Sequence, residues 1–189
     1  MRSFSITTMV MSAAFLVALA ITPTTAAEDN TYSQEDVIQE ASEFFAVSAG
    51  AMAMAIQRVF EEQGQPNAII IGEEGSGSIG VGLRYGEGTL KRQGNADVTV
   101  YWQGPSIGFD VGGNASKVFT LVYNLPNTDA IYQRFPGVSG SAYLVAGIGV
   151  NYQQSGDIIL AHIRSGVGLR LGANVGYLSY TQRRRLLPF

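Results

Sequence analysis

The stretch Gly80-Val81-Gly82-Leu83-Arg84-Tyr85-Gly86 returns, nearly intact, as Gly166-Val167-Gly168-Leu169-Arg170-Leu171-Gly172. In both copies Gly and Arg alternate with apolar residues, the two-residue period of a strand with unlike faces. A face made mostly of Gly offers bare backbone, so the unit predicts either a tightly built β body or a shallow binding surface. The copies are short enough to be a duplication or two convergent answers to one packing problem. Glycine lets a strand coil where a small barrel turns a corner.

One compositional boundary divides the chain. Of 23 Gly all but Gly50 follow Gln63, as do all the Tyr but Tyr32 and the single Trp, Trp102. Before that boundary the pattern is helical over 33–63. Ser33 with Asp36 resembles a capping box, and Glu35, Asp36 and Glu40 suit the positive end of a helix dipole. Val37, Ile38, Ala41, Phe44, Phe45, Ser48, Met52, Ala55, Ile56, Val59 and Phe60 then recur every three or four residues as one stripe, which Gly64 and Pro66 end. The polar face holds Glu35, Asp36, Glu40, Glu43, Glu61 and Glu62 against Arg58 alone, so an anionic membrane surface would repel it. The expectation is a helix, bent near Gly50, docked by its stripe on the domain behind it.

Over 67–182 the chain breaks into short alternating runs: Ala68–Ile71, Ser78–Tyr85, Thr89–Gln93, Asp97–Gln103, Ser106–Gly112, Lys117–Tyr123, Ala142–Tyr152, Asp157–Arg164 and Gly166–Tyr180. Only Asn127–Phe135 reads as a short helix, capped at Asn127 or Thr128 and ended by Pro136-Gly137. The fold class is α+β, mainly β: an N-terminal amphipathic helix on an antiparallel, small β-barrel-like sheet of roughly eight to ten strands. An outer-membrane barrel, suggested by the terminal Phe189, is disfavoured because Pro188 and Arg183–Arg185 break its alternation.

The first 27 residues read as an export signal, with Arg2, an apolar run from Met9 to Ile21, Pro23, and a small-residue site at Thr25-Ala26-Ala27. Cleavage after Ala27 leaves one mature domain, 28–189, ending in a basic tail, 183–189. With no Cys, that domain must hold together by packing. No later run reaches the ~20 apolar residues of a spanning helix, so the chain is not expected to cross a membrane. A net charge of −3 argues against nucleic acid as a partner.

No residue set predicts catalysis. His162, the only His, stands among Ile158, Ile159, Leu160 and Ile163 and reads as a partly buried strand residue; without Cys, a transition-metal site is not expected. Glu73-Glu74 reads as a solvated turn, and nothing sets Glu73, Glu87, Asp97 or Asp110 across a cleft as a glycosidase requires. Gly75-Ser76-Gly77-Ser78-Ile79-Gly80 matches a dinucleotide motif, but a strand pattern follows where a helix is needed. No cofactor is expected. Asn114-Ala115-Ser116 fits a glycosylation sequon.

The candidate binding residues are therefore Arg84 and Arg170 with Gly80, Gly82, Gly166 and Gly168. A guanidinium on a Gly-rich face has room to meet an anion bidentately. An internal carboxylate, from Asp110, Asp157 or Asp97, is the favoured anion, and a lipid phosphate is the alternative.

Glu40–Phe45, Val59–Ala68, Gly82–Gly88, Lys117–Pro126 and Arg134–Val138 together resemble the envelope integrity protein A family, exported alphaproteobacterial proteins. The resemblance covers nearly the whole mature chain. It implies a periplasmic β-barrel-like domain needed for a sound envelope, without established catalysis. More loosely, Gly112-Gly113-Asn114-Ala115, Phe119–Val122 and Gly147–Val150 resemble SYLF domains, which implies lipid binding. The expected function is envelope maintenance by binding a lipid or an envelope protein; the alternative is a cell-wall or glycan hydrolase or modifying enzyme.

Overall fold

The computed structural model describes residues 30–110, 116–165 and 176–185, with side chains outside 76–82 and 106–110. The expectations at the export signal, at Gly112 and Gly113, and across the second Gly-faced unit lie outside the described residues.

The helical stripe forms two helices, α1 (Gln34–Phe45) and α2 (Ala49–Gln63). Ser33 caps α1 by accepting from the Asp36 N–H at 3.2 Å, and its hydroxyl donates to Asp36 Oδ2 at 2.8 Å. Ala46 ends it in the left-handed region, φ 56°, with its N–H on the Glu43 and Ser42 carbonyls. Ser48 then caps α2. The break therefore falls at Ala46–Ser48, not near Gly50. Phe45 and Met52 stand seven residues apart, a spacing that a continuous helix would also produce, so periodicity alone could not reveal two segments.

Among the described residues eight strands follow: β1 (Ala68–Lys91), β2 (Val98–Asp110), β3 (Ser116–Tyr123), β4 (Arg134–Pro136), β5 (Tyr143–Val145), β6 (Ile148–Ser155), β7 (Ile158–Ser165) and β8 (Tyr177–Thr181). They form one antiparallel sheet in the order β4-β8-β2-β1-β3-β7-β6-β5. Three expected strands merge into β1, and two into β2, because Gly and Pro105 bend these strands without ending them. Ala142–Tyr152 instead divides into β5 and β6 at Ala146 (φ 48°) and Gly147 (φ 79°), the positive pair of a tight hairpin. The helix expected over Asn127–Phe135 shrinks to a 3₁₀ turn, Thr128–Ile131, capped by Asn127. Phe135 is fully buried and pairs with Leu178 across β4 and β8, which holds the rest of that segment extended.

The long strand β1 is the corner of the barrel. Its first arm, Ala68–Glu74, pairs with β3, and its second, from Ser78 to Leu90, pairs with β2. The arms meet where a Cβ on Gly72 would lie 2.6 Å from Gly88 Cα, and one on Gly88 would lie 2.5 Å from the Ile71 carbonyl. Only two glycines permit that crossing. At the far edge, Gly137 bridges to Gln153 and the Val138 N–H donates to the Tyr152 carbonyl at 3.0 Å, which brings β4 round to β6.

Two apolar clusters result from the alternation. Outside the curl, Val37, Ala41, Met52, Ile56 and Val59 of the helices pack on Ile69, Phe119, Leu121 and Ile163. Inside it, Ile70, Leu90, Trp102, Val122, Phe135, Leu160 and Tyr180 pack together. The stripe docks on the sheet, as its acidic outer face requires.

Candidate functional site: a charged cluster inside the barrel

The inward face of β1 reads Ala68, Ile70, Gly72, Glu74 on one arm and Arg84, Gly86, Gly88, Leu90 on the other. Trp102 lies cross-strand from Gly86. A Cβ on Gly86 would strike the indole ring, so this glycine exists to receive Trp102. The Gly–Arg face is thus an inner wall.

The expectation that Glu73-Glu74 is a solvated turn fails at Glu74, which is 8% exposed. Glu74 Oε1 accepts from Arg164 Nε at 2.9 Å and lies 3.8 Å from Arg84 Nη1; Oε2 accepts from Trp102 Nε1 at 3.1 Å. Arg164 Nη1 donates to Asn151 Oδ1 at 2.5 Å. Burial by itself would push the Glu74 carboxyl up; the Arg164 and Arg84 charges, with hydrogen bonds from Arg164 and Trp102, overcome it and lower the pKa to about 2. The carboxylate is ionised at any physiological pH.

Beside this cluster, His162 is fully buried rather than partly so. Its Nε2 lies 3.0 Å from Gln153 Oε1, an acceptor, so Nε2 carries the proton and Nδ1 accepts from the Thr120 hydroxyl at 2.8 Å. Burial, reinforced by Arg164 and Arg84, holds its pKa well below the ordinary value. The ring is neutral and both nitrogens are engaged. Tyr180, also buried, has its pKa raised by desolvation and then by Glu74.

Arg84 does meet an internal carboxylate, and that carboxylate is Glu74. Asp97 and Asp157 are exposed, and the side chain of Asp110 is not described. Gly80 and Gly82 lie on β1 opposite Gly108 and Ser106 of β2. Gly166, Gly168 and Arg170 lie outside the described residues. Sequence reasoning missed Glu74, Arg164 and Trp102 as partners, although parity with Ile70 and with Leu160 already placed the first two on the inward face.

The sequence model described as Envelope integrity protein A matches residues 30–189. The chain belongs to this family. A solved structure, a beta-barrel-like, uncharacterized protein from Brucella abortus, is similar to it at 46% identity and a TM-score of 0.78, covering 85% of this chain and 99% of that one. None of the curated proteins matches. Among the described residues of this family member, no helix is long and apolar enough to cross a membrane, and no group of His, Cys, Asp and Glu could hold a metal ion.

Proposed function

We infer that this chain is an exported, periplasmic protein, processed after Ala27, that maintains the envelope by binding a lipid or an envelope protein rather than by catalysis. Family membership supports the envelope role. The observation that carries the binding reading is the state of the barrel's ionisable groups. A general acid or base works best with a pKa near the working pH. Glu74 sits about 2 between two guanidiniums, and His162 is neutral with both nitrogens occupied. Such a cluster suits a rigid receptor. Arg84 serves it as the internal partner of Glu74.

The test is to purify the chain from the periplasm, sequence its N-terminus, and identify co-extracted molecules by mass spectrometry. A start at Glu28 and a stoichiometric lipid or envelope protein are expected. Turnover of isolated murein that depends on a single carboxylate would overturn the binding reading in favour of a hydrolase.

A further inference from the structure

Outside the barrel, where the end of α2 meets the loop after β4, lies a cleft of about 310 Å³. That is the lower end of the ~300–1,000 Å³ range of small-molecule sites. Its wall is built by mutual contacts. The Arg58 guanidinium lies 4.0 Å above the Tyr143 ring and donates to Glu62 Oε1 at 2.9 Å, and the Tyr152 hydroxyl donates to Glu62 Oε2 at 2.6 Å. The Tyr143 and Tyr152 rings, 6.5 Å apart and tilted by 43°, form a corner. Gln63 and Gln154 line the same cleft, with Val138 and Ile159 as apolar wall.

We propose that this cleft binds a neutral sugar ring, such as one unit of an envelope glycan. Its lining sums to zero charge, because Arg58 and Glu62 are the ionised residues and satisfy each other. A charged ligand would meet Arg58 and Glu62 side by side, so the attraction of one is offset by the repulsion of the other. An acyl chain would take the Gln63 and Gln154 carboxamides and the Glu62 carboxylate out of water while returning no hydrogen bonds to them. A sugar has what the lining asks for: C–H faces for aromatic rings, and paired hydroxyls that planar amide, carboxylate and guanidinium groups meet two at a time. The wall is held before any ligand arrives, which limits the ordering cost on binding.

The test is calorimetric titration of the full exported chain with N,N′-diacetylchitobiose, beside glucosamine and glucuronate as charged probes. Saturable binding of the neutral disaccharide at about millimolar Kd, unchanged by added salt and stronger than either charged sugar, is expected. Gln154→Ala, at an exposed position, and Gln63→Ala, at a half-buried one, remove one polar contact each, so each weakens binding about five- to tenfold while the fold, read by circular dichroism, is kept. Tyr143→Ala abolishes binding and Tyr143→Phe retains it. The proposal is overturned by no saturable binding of the disaccharide, by affinity that falls steeply with salt, or by affinity indifferent to both Gln substitutions.

Discussion

Glu74 is the residue on which the interior depends, since its carboxylate meets both the Arg84 and the Arg164 guanidinium. Replacing it with Gln removes the carboxylate that two buried guanidiniums share, and breaking a buried ion pair typically costs ~3–5 kcal/mol. For a chain of this size that should lower Tm by roughly 6–20 °C, measured by circular dichroism. Arg84→Met and Arg164→Met should each destabilise the lipid-free protein; wild-type stability with lost, salt-sensitive affinity for anionic vesicles would instead make Arg84 a headgroup ligand. The pH dependence follows from the same residues. The folded pKa of Glu74 is depressed from 4.5 to about 2, so its contribution is complete above 4.5 and is lost as pH falls toward 2. His162 is also depressed, below 6.5, so stability begins to decline once the unfolded chain takes up that proton. Thermal melts from pH 7 to 3 should show both losses, with the lower one absent in Glu74→Gln. Gly86→Ala drives a methyl into Trp102, and overpacking of this kind costs ~1–3 kcal/mol. Because Trp102 is the only Trp, its fluorescence reports the displacement directly.

At the level of elements, the link between α1 and α2 carries the clearest prediction. Ala46 holds φ 56°, a region that disfavours a Cβ by roughly 1–2 kcal/mol, while Gly adds ~0.4–1 kcal/mol of unfolded-chain entropy. Ala46→Gly should therefore stabilise the protein by about 0.5–1 kcal/mol, read as a rise in the urea midpoint. Each helix must also separate its faces. Ile56→Ala empties a fully buried site against the sheet and should cost ~2–5 kcal/mol, whereas Met54→Ala, at a residue 53% exposed, should change little. The Ser33 cap was legible in its motif, whereas Ser48 read as a member of the stripe and instead caps α2. The break between the helices was hidden because a seven-residue interval between Phe45 and Met52 keeps the stripe in phase across it. The strands show the opposite error. Gly and Pro105 looked like terminators, yet the unbroken pairing of β1 with β2 carries both strands through them, since ladder bonds to neighbours outweigh a weak local preference.

For the whole molecule, closure rests on a short seam. Val138→Pro removes the N–H that reaches the Tyr152 carbonyl, so amide exchange at β4 and around Gln153 should accelerate while α1 and α2 stay protected. Uniform protection in that variant would show the seam to be dispensable. The chain's own alternation determined a great deal: a helical segment with one apolar stripe, a Gly-rich β body, and one face shared by Arg84 and its neighbouring glycines. Those are properties of neighbours three, four or two residues apart, and local geometry alone turns them into faces. Tertiary structure decided which carboxylate Arg84 meets, that His162 is wholly enclosed, and that Trp102 fills the place left open at Gly86. Each of these joins residues on different strands, or on two arms of one strand folded back at Gly72 and Gly88. The curl of the sheet sets which side chains converge, and the period of a single strand carries no record of that curl.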